Sequence, residues 1–398
     1  MINLENISFD HCLKCTVCTV YCPVARVTHR YPGPKQAGPD TERLRIKNPE
    51  LVDESLKYCN NCKRCEIACP SDVKIADIIQ NAKGRYFKPK FRLRDYMLSR
   101  TDLMGRVGTA TAPVFNLFSS LTPVKAALDL LLKIPAQRSF PRYRRGTFSR
   151  RFEKQAHTQD GFKEKVVYFH GCYVNYLDHG LGRTMVQILN KLNIGVRLTR
   201  EKCCGVPLIA NGYLDEAKKN AVHNLDVLGR ALDGQTAKIV ATSSSCSLAL
   251  VAEYKNLLQL DDSAISGRVE YITKYLHDLF ESRGRPELKS VNLKVAYHAP
   301  CHLERMGGAI FTVELLRAIP GLDLKLLNSE CCGISGTYGF KKEFYSIGLD
   351  VGADLFRKIA EVDPDVVVTD CETCKWQIEA NTTYTVVHPI SLLAQALL

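Results

Sequence analysis

A chain of 398 residues, 45% hydrophobic and 24% charged, can bury two or three cores of ordinary domain size, which excludes a disordered protein. Its seventeen cysteines are spread over a chain too long to be a small disulfide-stapled scaffold. The formal charge of +12 is concentrated: between Asn81 and Gln155 seventeen Lys and Arg face four acids (Asp95, Asp102, Asp129, Glu153), leaving the rest near neutral. The opening residues, MINLENISFDHC, hold no basic stretch followed by an apolar run. Export to an oxidising compartment is therefore not expected, and the thiols read as metal ligands.

The first domain, 1–84, carries two runs of the form CxxCxxCxxxCP: Cys12, Cys15, Cys18, Cys22 with Pro23, and Cys59, Cys62, Cys65, Cys69 with Pro70. This is the bacterial ferredoxin spacing, in which three thiolates of one loop face one iron–sulfur cube and the fourth ligates the other cube. Cluster 1 then takes Cys12, Cys15, Cys18 and Cys69; cluster 2 takes Cys59, Cys62, Cys65 and Cys22. Zinc is the poorer reading, because neither run supplies its own fourth ligand at zinc-like spacing. Leu51, Val52 and Leu56 lead into Cys59 at roughly helical spacing, and Lys74 to Lys83 reads as a closing helix, so the module is expected to be helical.

A basic connector follows, 85–163. Residues Val107 to Val124 carry no charge, but Gly108, Pro113, Asn116, Ser119, Ser120 and Pro123 make a membrane span a poor reading. Pro123 can start a helix that puts Val124, Ala127, Leu128, Leu131 and Leu132 on one face, with Lys125, Asp129 and Lys133 opposite. That face can lie on a bilayer or pack on protein. The arginine run Arg138 to Arg151 favours the anionic membrane surface over packing on protein, nucleic acid being the other usual partner of a polybasic stretch.

The second half is a duplication. Cys172 precedes Cys301 by 129 residues, while Cys203, Cys204 and Cys246 precede Cys331, Cys332 and Cys374 by 128. The flanks agree, KVVYFHGC against KVAYHAPC and IVATSSSC against VVVTDCETC, so this is an internal repeat. Repeat 2 (291–398) holds five thiols, Cys301, Cys331, Cys332, Cys371 and Cys374. Adjacent cysteines rarely pair with each other, but both can face one metal centre. Repeat 1 (164–290) keeps Cys172, Cys203, Cys204 and Cys246, with Ser243 in place of Cys371, enough for a cubane cluster or zinc, or for a worn-out site. Each repeat reads strand, helix, strand, helix, strand, which implies parallel sheets with the thiols at their carboxyl edges. The fold class expected is α+β and multidomain: a helical two-cluster ferredoxin domain followed by two tandem α/β repeats.

His170, His298, His302, Glu304 and Glu372 lie beside these motifs, as proton donors or as hydrogen-bonded neighbours. GLGR (Gly180 to Arg183) follows no strand and lacks a third glycine, so no flavin or NAD is expected on this chain. No catalytic triad or carboxylate pair stands out.

Two ferredoxin runs followed by two CCG repeats resemble the iron–sulfur subunits of respiratory flavin dehydrogenases, the group that includes the glycolate oxidase iron–sulfur subunit. The CCG module is similar to that of the heterodisulfide reductase B subunit, where five cysteines hold a noncubane 4Fe-4S cluster. The segments EKCCGVPLIANGY, CCGISGTYGFKKE and DCETCKWQIE are most similar to the C subunits of anaerobic glycerol-3-phosphate dehydrogenases. The resemblance implies a redox subunit that takes electrons from the flavin-containing A and B subunits, passes them through two cubane clusters and a further, cubane or noncubane, cluster to menaquinone, and helps anchor the complex peripherally on the cytoplasmic face of a prokaryotic inner membrane. Substrate oxidation itself is then expected on the partner subunits. The alternatives are the corresponding subunit of a glycolate or lactate dehydrogenase, a disulfide reductase, and structural clusters beside a nucleic-acid clamp; the last lacks any nucleic-acid-binding motif.

Overall fold

Each cysteine run curls at its second cysteine. The structure, a computed structural model, describes residues 9–87, 92–232, 237–328 and 331–398, so most of the opening stretch read above for an export signal lies outside the described residues. Lys14 and Thr16 flank Cys15 in the left-handed region (φ 57° and 64°), and Asn61 and Lys63 flank Cys62 in the same way (φ 58° and 62°). Such conformations cost about 1–3 kcal/mol each in residues other than glycine and persist where their surroundings hold them. The Lys63 ammonium supplies part of that hold: it is buried against Asp77, with Glu66 at 3.6 Å and Glu253 at 3.7 Å. One-turn helices, Val17–Val20 and Arg64–Ile67, then carry the third cysteine of each run. Short helices Pro23–Val27 and Thr41–Lys47, a turn at Glu54–Tyr58 and the closing helix α1 (Ile75–Tyr86) complete a helical module, as the spacing predicts.

The connector forms α2 (Leu93–Ser99), α3 (Thr101–Ala110), α4 (Ala112–Phe118) and α5 (Thr122–Leu132). Among the described residues no single helix is long and apolar enough to cross a membrane; α4 and α5 together have the length and composition but are bent by 84°. On α5 the expected apolar and polar faces are both divided between protein and surface. Lys125 and Asp129 are half-buried, with Asp129 paired to Lys342 at 2.6 Å, whereas Leu130 and Leu131 are 72% and 75% exposed. Val124, Leu128 and Leu132 of the expected apolar face are half-buried as well, while Ala127 and Lys133 are exposed, so α5 meets the body through part of that face together with the Asp129–Lys342 pair.

Two four-stranded parallel sheets follow, ordered β2-β1-β3-β4 and β6-β5-β7-β8. Sheet one is β1 (Glu164–Phe169), β2 (Ile194–Leu198), β3 (Ile239–Ala241) and β4 (Val269–Tyr271); sheet two is β5 (Leu293–His298), β6 (Leu322–Leu326), β7 (Val366–Thr369) and β8 (Val386–Val387). The sequence pattern indicates only three strands per repeat. The fourth in each, β4 and β8, is an edge strand of three and two residues, too short to show a period. Helices α6 (His179–Lys191), α7 (Leu214–Leu232) and α8 (Ile272–Arg283) serve the first sheet; α9 (Ala309–Arg317), α10 (Lys342–Val362), α11 (Glu372–Asn381) and α12 (Pro389–Leu397) serve the second. Val166 to Phe169 and Val366 to Thr369 are buried without alternation, as befits parallel strands covered on both faces.

One core joins the repeats, packing Met185, Ile188 and Leu276 against Leu303, Leu315, Ile390 and Leu393. Another joins the ferredoxin module to repeat 2: Leu56, Ile75, Ile79 and Cys62 share it with Cys331, Tyr338 and Phe344. There the Tyr338 and Phe344 rings stack 4.4 Å apart, and Tyr58 meets Phe344 edge-on at 5.7 Å.

Candidate metal centres

The eight ferredoxin-type thiols fold around two hollows. Cys12, Cys15, Cys18 and Cys69 line one, and Cys22, Cys59, Cys62 and Cys65 line the other. The fourth cysteine of each run thus sits with the other run's first three. Cys22, which caps Pro23–Val27, accepts the Ala25 N–H at 3.5 Å; Cys69 accepts the Val73 N–H at 3.4 Å; and Gln80 Nε2 donates to Cys59 at 3.6 Å. Burial pushes the Cys22 thiol up to about 12 and lifts Cys62 and Cys65 well above the ordinary value. Thiols so buried are poor anions alone, whereas a metal cation that takes the thiolate directly offsets that cost. The donor sets therefore fit iron–sulfur clusters. The first hollow reaches the surface, with Cys15 exposed; all four thiols of the second are buried.

In repeat 2, Cys301 follows β5, Cys331 and Cys332 follow β6, and Cys371 and Cys374 open α11 after β7. Their sulfurs form a continuous series of contacts, Cys301 to Cys331 to Cys332 to Cys374 to Cys371. Hydrogen bonds from Cys374 and Thr373 hold Cys371 down to about 5, and those from Cys301 and Cys332 hold Cys331 well below its usual value. The turn between the paired cysteines and α10 needs glycine: Gly333 has φ +84°, and a Cβ there would lie 1.8 Å from the Gly348 carbonyl oxygen. His298 brings a ring nitrogen within 4.8 Å of the Cys332 and Cys374 sulfurs, and burial drives it down to about 4, so it stands there neutral.

Repeat 1 brings its four thiols together in the same way, Cys172 to Cys203 to Cys204 to Cys246, the last pair at 3.4 Å. Ser243 caps the following helix through the Cys246 N–H at 3.3 Å and is itself bound by Glu372 at 3.1 Å. Glu372, raised to about 8 by burial, thus stands between Ser243 and Cys371. His170, the counterpart of His298, is tied instead to Glu201 at 3.1 Å. Two connector residues escaped the sequence reading: Asp102 accepts the Cys203 N–H at 2.7 Å, and Thr101 lies beside the Cys203 sulfur and helps to lower its pKa. No motif marks them, because α3 reaches this site only through tertiary packing. The connector's Arg106, Arg145 and Arg150 border a cleft of about 1130 Å³ with Arg200 and Lys202, beside repeat 1.

The second hollow adjoins repeat 2, since Cys62 lies within electrostatic reach of both Cys331 and Cys301. His302 and Glu304 fasten that junction. His302 meets the Asn61 carbonyl at 3.1 Å and Ser245 at 3.0 Å, and Glu304 pairs with Arg64 at 2.7 Å.

Comparison with known proteins agrees with this arrangement. A cysteine-rich domain family, CCG, matches residues 166–251 and 295–379, and a 4Fe-4S dicluster domain family matches residues 8–73. The C subunit of the anaerobic glycerol-3-phosphate dehydrogenase of Escherichia coli K12 is 52% identical over 99% of this chain and 100% of its own length. The glycolate oxidase iron-sulfur subunit of the same organism is 23% identical over 97% of this chain and 93% of its own. The D subunit of the dihydromethanophenazine:CoB–CoM heterodisulfide reductase of Methanosarcina acetivorans is 30% identical over 54% of this chain and 53% of its own.

Proposed function

The chain belongs to the family of anaerobic glycerol-3-phosphate dehydrogenase C subunits, and from that premise we propose that it carries electrons from the flavin-containing A and B subunits to menaquinone. It is an iron–sulfur subunit of a multi-subunit dehydrogenase. Two cubane 4Fe-4S clusters are assigned to Cys12, Cys15, Cys18, Cys69 and to Cys59, Cys62, Cys65, Cys22. A further 4Fe-4S cluster, cubane or noncubane, is assigned to Cys301, Cys331, Cys332, Cys371 and Cys374, and a cluster or zinc to Cys172, Cys203, Cys204 and Cys246. Bound clusters supply one-electron carriers at fixed positions. The single observation that carries this reading is the sorting of the eight ferredoxin-type thiols into two four-sulfur hollows.

This reading gives the carriers an order. Exposed Cys15 then lies at the end open to a flavin partner, the buried second hollow comes next, and Cys62, within electrostatic reach of Cys331 and Cys301, leads to repeat 2. Leu117, Phe118, Leu130 and Leu131 on α4 and α5 are exposed, and this reading lays them on the cytoplasmic face of a prokaryotic inner membrane, where the quinone is. Replacing Cys332 with Ser in the assembled complex tests the reading. Glycerol 3-phosphate oxidation by a dye that accepts electrons at the flavin should persist while menaquinone reduction is lost; undiminished menaquinone reduction contradicts it.

A further inference from the structure

Not all of the connector's arginines lie at the surface. Arg138 is 3% exposed, and its guanidinium sits over the rings of Phe340 (5.6 Å) and Tyr345 (4.8 Å). Its Nε donates to the Gly339 carbonyl at 2.7 Å and its Nη1 to the Gln377 side-chain oxygen, so its hydrogen bonds among the described residues go to neutral acceptors. Burying a cation without an anion is costly, and burial does lower this guanidinium's pKa. The Cys332 sulfur, which is anionic once it ligates a metal, lies within its electrostatic reach. Phe340, beneath it, belongs to the same core as Cys332, Cys371 and Cys374.

Two further observations point the same way. Gln377 is fully buried and lies one turn beyond Cys374 on α11; its Nε2 and the Nη2 of Arg138 are both buried donors that find no acceptor in the protein. And a Cβ on Gly339 would lie 2.8 Å from that Nη2, so the glycine keeps the seat open. Orphaned buried donors are rare in folded proteins and call for an explanation.

We infer that Arg138, seated by Gln377 and Gly339, is the buried counter-charge of the repeat-2 iron–sulfur centre and sets its reduction potential. The inference rests on the assignment of that centre to the five thiols above. Five thiolates outweigh the positive charge of an iron–sulfur core, and the electron it accepts adds one more negative charge. A fixed cation therefore favours the reduced form, and no proton need move with the electron.

The test is a redox titration with dithionite, followed by electron paramagnetic resonance, of the anaerobically purified full chain. In Arg138→Gln the ratio of reduced to oxidised repeat-2 centre at a given potential should fall about tenfold or more, a downward shift of at least about 59 mV for one electron. The ferredoxin-type centres should not move, and Arg138→Lys should shift less. If Arg138→Gln takes up no iron in repeat 2, Gln377→Glu, which sets a carboxylate against the guanidinium, should give the same downward shift. An unchanged midpoint in the loaded variant overturns the inference. A wild-type chain with no reducible repeat-2 centre overturns the cluster assignment itself, and the inference with it.

Discussion

Replacing Leu130 and Leu131 together with serine separates membrane attachment from folding. The two side chains are 72% and 75% exposed, so the folded chain gains little from them. Fully burying a leucine is worth about 1.5–3 kcal/mol. The exposed share of each therefore corresponds to about 1–2 kcal/mol on insertion into a bilayer interface, or about 2–4 kcal/mol for the pair. At about 1.4 kcal/mol per factor of ten, the partition of the complex onto vesicles should fall about 30-fold to 1000-fold. The melting transition should change by no more than the difference in helix propensity, about 0.5 kcal/mol per site. Co-sedimentation with vesicles containing anionic lipid measures the first quantity and calorimetry the second. Unchanged co-sedimentation of the folded double variant would rule out a bilayer-facing pair and make this face a protein contact. Loss of folding would show that α5 bears on the core more than its exposure indicates.

Three more outcomes are expected. Cys69→Ala should abolish the signal of the centre held by Cys12, Cys15 and Cys18 and spare the other cubane, and Cys22→Ala should do the reverse; electron paramagnetic resonance of each variant tells whether the runs exchange their fourth ligands. Gly333→Ala should remove repeat-2 iron while leaving the ferredoxin-type clusters, because its Cβ would meet the Gly348 carbonyl oxygen at 1.8 Å; iron analysis showing full occupancy would contradict the packing. Burial drives His388 from 6.5 down to about 4, so the folded state binds its proton more weakly than the unfolded chain does. Its contribution to stability is intact above about pH 6.5 and is lost as pH falls toward 4, at up to about 1.4 kcal/mol per pH unit. His388→Asn should flatten the acid side of a denaturation profile between about pH 6.5 and 5, and an unaltered slope would count against the buried neutral imidazole.

What could be read in the sequence was what depends on local spacing. Cysteine intervals in Cys12 to Cys22 and Cys59 to Cys69 announce iron–sulfur chemistry because three thiols of one short loop must face one centre. The offset of 128 residues carried the duplication, since strand and thiol repeat together. Features that depend on distant contacts were hidden. On α5, Asp129 meets Lys342, a partner more than two hundred residues away. Edge strands β4 and β8 owe their conformation to β3 and β7 beside them and carry no period of their own. The link of Asp102 to Cys203 and the burial of Arg138 were masked by the overall charge of their segment, which reads as surface although one of its arginines is interior.

Thiols holding iron underlie every role assigned to this chain. Iron, acid-labile sulfide and zinc determined on the full chain prepared without oxygen decide whether they do. The prediction is about twelve irons with matching sulfide for the two ferredoxin-type centres and repeat 2, rising to about sixteen if repeat 1 holds a cluster as well. A colourless chain that contains zinc alone, or no metal, would contradict it.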